Sequence, residues 1–195
     1  MKFASIKRMV GIALLMAMVV VLQFVSSMIP PLFGMVSISL SLIPVVLGAA
    51  LFGPGAGGIL GATFGIIVTI NSITGADPGG AMVFQANPAL CILVIMAKGV
   101  LAGLASGWVY RLLKNRNGYF AMLLASVVCP LVNTGVFLVC MALFFMDVLS
   151  AWAGGGDILG YVLSILVLCN FVPELVINVV FSPAGQRIAH IVEKK

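Results

Sequence analysis

The chain has 195 residues, of which 63% are hydrophobic and only 8% are charged, and its mean hydropathy is +1.27. Soluble domains carry about 25% charged residues, so this composition excludes a soluble enzyme or a soluble binding domain. The formal charge of +5 does not indicate a nucleic-acid partner, because no basic surface is interleaved with aromatic residues. We expect one all-α integral membrane domain that occupies residues 1–195.

The sequence offers no residue set for catalysis or for a cofactor. The four cysteines lie in apolar runs without a CxxC pair, and the single histidine, His190, lies near the C-terminus. No HExxH motif or Ser/His/acid set is evident. Residues 53–58 read GPGAGG, but they lack the GK[ST] of a phosphate-binding loop. We therefore expect no enzyme, no metal site and no cofactor.

Long apolar runs predict six membrane-spanning helices, since about 20 apolar residues cross a bilayer core. Pro30-Pro31 ends the first helix, and Gly53-Pro54-Gly55 predicts a tight turn between the second and the third. Residues 36–42 alternate apolar and polar, which predicts an ordered external loop. The segments 74–87 and 147–157 read as polar, Gly-bearing loops. The predicted spans cover residues 9–29, 41–52, 56–73, 88–113, 119–145 and 158–181.

The distribution of charge predicts the orientation of the chain. Nine of the ten basic residues fall near the N-terminus, in residues 111–116 or near the C-terminus, where Pro183 is expected to end the last helix. With six spans these three clusters share one side, which the positive-inside rule makes cytoplasmic. Asp77, Asp147 and Asp157 then fall outside. We expect both termini in the cytoplasm, and the chain in the bacterial plasma membrane.

The remaining basic residue, Lys98, lies inside the predicted helix 88–113. A charge near the bilayer centre costs about 2.5–3.5 kcal/mol on insertion scales, so it normally faces a partner, a cavity or a ligand. At 1.5 Å per residue, Lys98 lies ~15 Å below the external end of its helix, and Asn133 and Asn170 lie ~18 Å below theirs. Glu174 follows Asn170 by four residues on the same face. Three helices thus bring polar groups to one layer.

Two interpretations of this layer stay open. In the first, Lys98 and Glu174 form a buried ion pair and the asparagines tie the helices together. In the second, Lys98, Asn133 and Asn170 line a pocket, with Glu174 beside them, that Gln85, Asn87 and the external loops close from above. A lysine in such a pocket suits a ligand with a carboxylate or a phosphate.

Small residues recur every four positions on two predicted helices. Gly53, Gly57 and Gly61 are spaced four residues apart on one helix, and Gly99 and Gly103 have the same spacing on another. Such spacing lets helix backbones approach closely in a membrane. We expect these faces to pack inside the bundle.

These residues resemble the substrate-binding S components of energy-coupling factor (ECF) vitamin transporters. Residues 43–65, IPVVLGAALFGPGAGGILGATFG, are similar to the helix 2–helix 3 signature of that family, and Ala13 and Ala17 match its AxxxA docking pattern on helix 1. FQANP at 84–88, Lys98 and PLVNTG at 130–135 look most like the pantothenate and hydroxymethylpyrimidine carriers. Many members of that subgroup have an arginine near the position of Lys98, which would bind a carboxylate in a bidentate manner.

The resemblance implies a subunit that captures a vitamin from outside, with pantothenate as the first candidate. A transmembrane coupling protein, docked on Ala13 and Ala17, and two ATPase subunits would supply the energy. Two other classes stay open: a standalone small-solute transporter or channel, and a membrane assembly subunit without a ligand, in which Lys98 and Glu174 are structural.

Overall fold

The computed structural model describes residues 2–28 and 38–193, with only the backbone of residues 2–5 and 193. Its described residues are all-helical and contain no strand. The predicted stop at Pro30-Pro31 and the first part of the predicted loop 36–42 lie outside the described residues. Helices are the expected solution in a bilayer, because each satisfies its backbone hydrogen bonds within one segment.

The helices follow one another with short connections. α2, α5 and α6 begin and end within one residue of the predicted bounds. The elements are α1 (Lys2–Met28), α2 (Leu42–Phe52), α3 (Pro54–Thr74), α4 (Pro78–Ala86), α5 (Pro88–Leu113), α6 (Gly118–Phe144), α7 (Met146–Trp152), α8 (Ile158–Tyr161), a π-helical segment (Val162–Phe171) and α9 (Val172–Glu193).

The sequence interpretation was wrong at two connections and at the end of the last helix. Residues 74–87 hold the helix α4, which Pro78 begins at its first position, where a proline loses no intrahelical bond. Residues 147–157 hold most of α7 before the glycine turn at Gly154 and Gly155, both of which have positive φ. The last helix does not end at Pro183, because α9 continues through this proline to Glu193.

Five described helices are long and apolar enough to cross a membrane. The remaining predicted span, 41–52, corresponds to α2, which has 11 residues and measures ~16 Å, about half of a hydrocarbon core. Most of α2 is buried, so its short length is covered by protein and not by lipid. The five long helices cover Ile6–Met28, Pro54–Thr74, Pro88–Leu113, Gly118–Phe144 and Ile158–Val192.

Three basic residues of the described chain, Arg8, Arg111 and Lys114, lie together at one end of the bundle. An Nη2 atom of Arg8 on α1 donates to the carbonyl oxygen of Phe52, the last residue of α2, at 2.9 Å. Arg8 also shares a groove with Arg111 and Lys114 at the end of α5. The Tyr110 hydroxyl donates to Gln186 Oε1 at 3.3 Å, which brings α9 to the same end. We call this the basic end.

The glycine faces of α3 and α5, each expected to pack inside the bundle, pack directly against each other. A Cβ atom at Gly61 would overlap the carbonyl oxygen of Gly99, and one at Gly57 would overlap that of Gly103. The reverse substitutions at Gly99 and Gly103 meet the carbonyls of Gly61 and Gly57. Backbone contact of this kind holds helices together by dispersion where lipid offers no hydrophobic drive. It fixes α5, and therefore Lys98, relative to α3.

The last long helix widens before Pro173. The amide of Val172 donates to the carbonyl of Val167, five residues earlier, within the π-helical segment Val162–Phe171. Pro173 has no N–H to donate one turn back, and its ring crowds the carbonyl of that turn, which disfavours regular α-helix there. π-Helical turns are rare in proteins, and many of those that do occur lie at functional sites. This one carries Asn170 and leads into Glu174.

Candidate ligand-binding cavity

A small polar cavity lies inside the bundle at the level of Lys98. It encloses about 40 Å³, which is room for a few water molecules. Two apolar side chains and ten polar or charged ones line it, contributed by nearly every long element. They are Gln23 and Ser27 from α1, Ser39 before α2, Val68 and Asn71 from α3, Asp77 before α4, Lys98 from α5, Asn133, Thr134 and Phe137 from α6, Asn170 from the π-helical segment and Glu174 from α9.

Lys98 makes its closest described contacts with aromatic rings. Its Nζ lies 4.8 Å from the ring centroid of Phe137 and 5.9 Å from that of Phe64. A cation over an aromatic face gains ~0.5–2 kcal/mol, depending on its desolvation. Among the described residues no carboxylate forms an ion pair with Lys98, although Glu174 and Asp77 are near enough to interact with it electrostatically.

Glu174 is held by backbone and not by Lys98. This residue is 2% exposed, and its Oε1 accepts a hydrogen bond from the backbone amide of Ser39 at 2.8 Å. Ser39 lies just before α2, so the carboxylate sits near the positive end of that helix dipole. Its Oε2 is buried without a hydrogen-bond partner in the described part of the chain. The Lys98–Glu174 ion pair of the first interpretation is therefore not formed between these two described side chains.

The segment that holds Glu174 is tied to α1. The Leu40 amide donates to Ser26 Oγ at 3.1 Å, and the Ser41 hydroxyl donates to Gln23 Oε1 at 2.6 Å. Gln23 and Ser26 are buried on α1, although many large apolar side chains of this helix are exposed. These bonds hold residues 39–41, which belong to the predicted external loop, against α1 at the cavity.

Three buried oxygen atoms at the cavity have no hydrogen-bond partner among the residues that the structure describes. They are Asp77 Oδ1, Asn133 Oδ1 and Glu174 Oε2. A buried polar atom without a partner lowers the stability of the fold by about 1–3 kcal/mol, so a group of such atoms calls for a functional explanation. All three are acceptors beside a single cation. The cavity is thus complementary to a molecule with several O–H or N–H donors and one anionic group.

A second small cavity adjoins the first across Lys98 and Asp77. It also encloses about 40 Å³, and its further lining is mainly apolar, with Val83, Val94 and Trp152 among its walls. Trp152 Nε1 is a buried donor without a described partner. Lys98 and Asp77 therefore stand between a polar and a mainly apolar compartment.

Burial raises the pKa of the Asp77 carboxyl above its ordinary value of 3.8. The nearby ammonium of Lys98 and the amides of Gly80 and Gly79 act in the opposite direction, but the loss of solvent outweighs them. Asp77 lies between α3 and α4, outside the spanning helices. It is the one loop aspartate that enters the cavity lining.

The structure brings four of the six predicted ligand-site residues to one cavity. Lys98, Asn133, Asn170 and Glu174 all line it. Gln85 and Asn87 do not, and both are exposed. The Asn87 side chain accepts a hydrogen bond from the Leu90 amide at 3.1 Å, so it caps α5.

The predicted docking residues Ala13 and Ala17 are exposed on α1. They lie four positions apart, on one face of the helix. Neighbouring side chains such as Leu14 and Met18 are exposed as well, which leaves this part of α1 uncovered by the described chain.

Sequence reasoning missed eight of the twelve residues that line the cavity. Asn71 and Thr134 lie within predicted helices, Thr134 directly after Asn133, and Asp77 was assigned to an external loop. Gln23 and Ser27 are two of the three polar residues in the second half of α1, and this was the available signal. The lining residues without a prediction are Gln23, Ser27, Ser39, Val68, Asn71, Asp77, Thr134 and Phe137.

Long apolar helices around a charged internal cavity define a multi-pass membrane protein. The model of the family "ECF transporter, substrate-specific component" matches residues 7–184. The chain therefore belongs to this family, whose members are transporter subunits and not enzymes. Membership implies a small-molecule substrate and association with an ECF module, composed of a T component and ATPases. No curated protein matches the chain.

Proposed function

We propose that this chain captures a water-soluble vitamin for import, and that the vitamin is pantothenate. Lys98 would bind its carboxylate by a charge-assisted hydrogen bond. The buried acceptors on Asp77, Asn133 and Glu174 would receive its two hydroxyl groups and its amide N–H, with Asn170 at the same cavity wall. The observation that supports this most strongly is the coincidence of one cation with three orphaned acceptors in one buried site.

Pantothenate is larger than the cavity, so capture requires the lining elements to separate. Ser39 and Asp77 lie in connections next to α2 and α4, outside the helix pair that the glycines lock together. We assign the opening movement to these connections and to α4. The α3–α5 pair stays fixed and keeps Lys98 in place.

The transport cycle requires partners because the chain has no nucleotide-binding motif. A transmembrane coupling protein would dock on the face of α1 that carries Ala13 and Ala17, and two ATPases would supply the energy. In this proposal the basic end faces the cytoplasm, and both termini lie on that side of the membrane. The short helix α2 joins the five long helices to make a bundle of six. The membrane is the bacterial plasma membrane.

The test is calorimetric titration of the purified chain, alone in detergent, with a panel of B vitamins. Nanomolar binding of pantothenate and weak binding of the other vitamins would support the proposal. Nanomolar binding of another vitamin would support the capture function but show that the substrate is not pantothenate. If no vitamin binds and proteoliposomes with this chain alone take up a solute, the capture function is wrong and the protein is a standalone transporter.

A further inference from the structure

A groove of about 400 Å³ opens at the basic end, far from the cavity. Its cationic walls are Arg8 from α1 and Arg111 and Lys114 from the end of α5. All three side chains are exposed, and no acidic residue is among the described residues that line it. We call this the basic groove. Nothing in the capture of a vitamin at the cavity requires it.

The basic groove also receives the N-terminus of α3. Pro54 has no N–H, and the amides of Ala56 and Gly57 both donate to the carbonyl of Gly53. Gly55 is exposed at the groove, and its amide has no intrahelical acceptor. The positive end of a 21-residue helix therefore adds to the three cations.

Arg8 is held in position for a ligand. Its bond to the Phe52 carbonyl uses one of the five N–H donors of the guanidinium. The planar group binds phosphate oxygens in a bidentate manner, and a fixed side chain loses less entropy when it does so.

Exposed apolar side chains lie next to these cations on the same helices. Trp108 is 63% exposed one turn before Arg111, on the same face of α5. Leu112 and Met9, which follow Arg111 and Arg8 in the sequence, are 73% and 67% exposed on adjacent faces of their helices. Tryptophan at a helix end beside arginine is typical of the boundary between headgroups and acyl chains. The groove thus offers a polar seat for a headgroup and apolar helix surfaces for acyl chains.

We infer that the basic groove binds the phosphate of an anionic phospholipid from the leaflet at the basic end. Basic pockets between transmembrane helices are suited to anionic headgroups. A soluble anion would use the cations but gain nothing from Trp108, Leu112 and Met9. The proximity of cationic and exposed apolar side chains therefore favours a lipid over a free phosphate or an acidic protein segment.

The test compares two triple variants of the full chain in nanodiscs that contain phosphatidylglycerol and phosphatidylethanolamine. The first variant carries Arg8→Gln, Arg111→Gln and Lys114→Gln. The control carries Lys7→Gln, Arg116→Gln and Arg187→Gln, which removes the same charge outside the groove. Native mass spectrometry of the released protein measures retained phosphatidylglycerol. Three groove cations at about a fivefold preference each amount to about 100-fold, so the first variant should lose well over tenfold of the retained lipid and the control less than threefold.

Further arms identify the source of the anion and guard against misfolding. The single variant Arg111→Gln should retain several-fold less phosphatidylglycerol than the wild type. It should still fold, since the Arg111 side chain makes no described hydrogen bond. Equal losses in both triple variants would overturn the proposal, as would binding of inorganic phosphate in place of the lipid. Unchanged lipid retention with lost association of the ECF module would overturn it in favour of a protein interface.

Discussion

At the scale of the residue, Asp77 lies in the connection between α3 and α4 and lines the interior cavity. Because burial raises the pKa of its carboxyl, the folded state binds a proton more tightly there than the unfolded state does. The free energy of unfolding therefore falls as the pH rises from 3.8 to the raised pKa, and the loss is complete above it.

We expect Asp77→Asn to remove this pH dependence. Thermal unfolding in detergent across the acidic and neutral range should show a flatter profile for the variant than for the wild type. The exposed Asp147 supplies the control, since Asp147→Asn should keep the wild-type profile. Parallel profiles for wild type and Asp77→Asn would show that this carboxyl is not a buried, titrating group.

Lys98 and Glu174 can be tested as independent residues. Breaking a buried ion pair by removing one partner costs about 3–5 kcal/mol and is rescued by removing the other. Here Glu174 bonds to Ser39 and Lys98 rests over Phe137. We expect Lys98→Met to change stability by less than about 1 kcal/mol, because methionine keeps the volume and the aromatic contact. Measured unfolding in which Glu174→Gln rescues a destabilised Lys98→Met would restore the ion-pair interpretation.

At the scale of the element, the glycine contact of α3 and α5 positions the cavity. Gly61→Ala places a methyl group against the Gly99 carbonyl, and we expect a loss of about 1–3 kcal/mol of stability from overpacking. Gly135 on α6 is the matched control, since a Cβ there meets nothing within 4 Å. Gly135→Ala should be neutral or stabilising in the same thermal assay. Equal melting temperatures for both variants would contradict the close approach.

The sequence predicted the helices and the polar layer, because their signals are local. Hydropathy defines α5 and α6, and the cost of intramembrane charge singles out Lys98 and Glu174. Two features depend on tertiary contacts and were missed. Gln23 is polar on an apolar helix, and only its bond to Ser41 shows that it faces inward. The helix α4 occupies a polar, glycine-containing segment, and its geometry turns Asp77 towards Lys98 and leaves Gln85 and Asn87 outside.

At the scale of the whole molecule, the proposed capture site and the proposed docking face are separate surfaces. Ala13 and Ala17 are exposed on α1, whereas Lys98 lies in the interior cavity. We expect Ala13→Trp to leave vitamin affinity within about threefold and to abolish uptake in proteoliposomes that contain the complete ECF module, because a large side chain prevents close helix approach. Leu143→Trp, at another exposed apolar position, should support normal uptake. Uptake that survives Ala13→Trp would exclude this face as the docking surface.

The central claim is that Lys98 recognises the carboxylate of the captured vitamin. The most direct measurement is a calorimetric cycle with pantothenate and its uncharged alcohol analogue, pantothenol, on the wild type and on Lys98→Gln. A hydrogen bond to a charged group contributes about 1.5–3 kcal/mol, so the wild type should prefer pantothenate about 10- to 150-fold. In Lys98→Gln this preference should shrink to within about threefold. A wild type that binds both molecules equally, or a variant that keeps the preference, would contradict the proposed site.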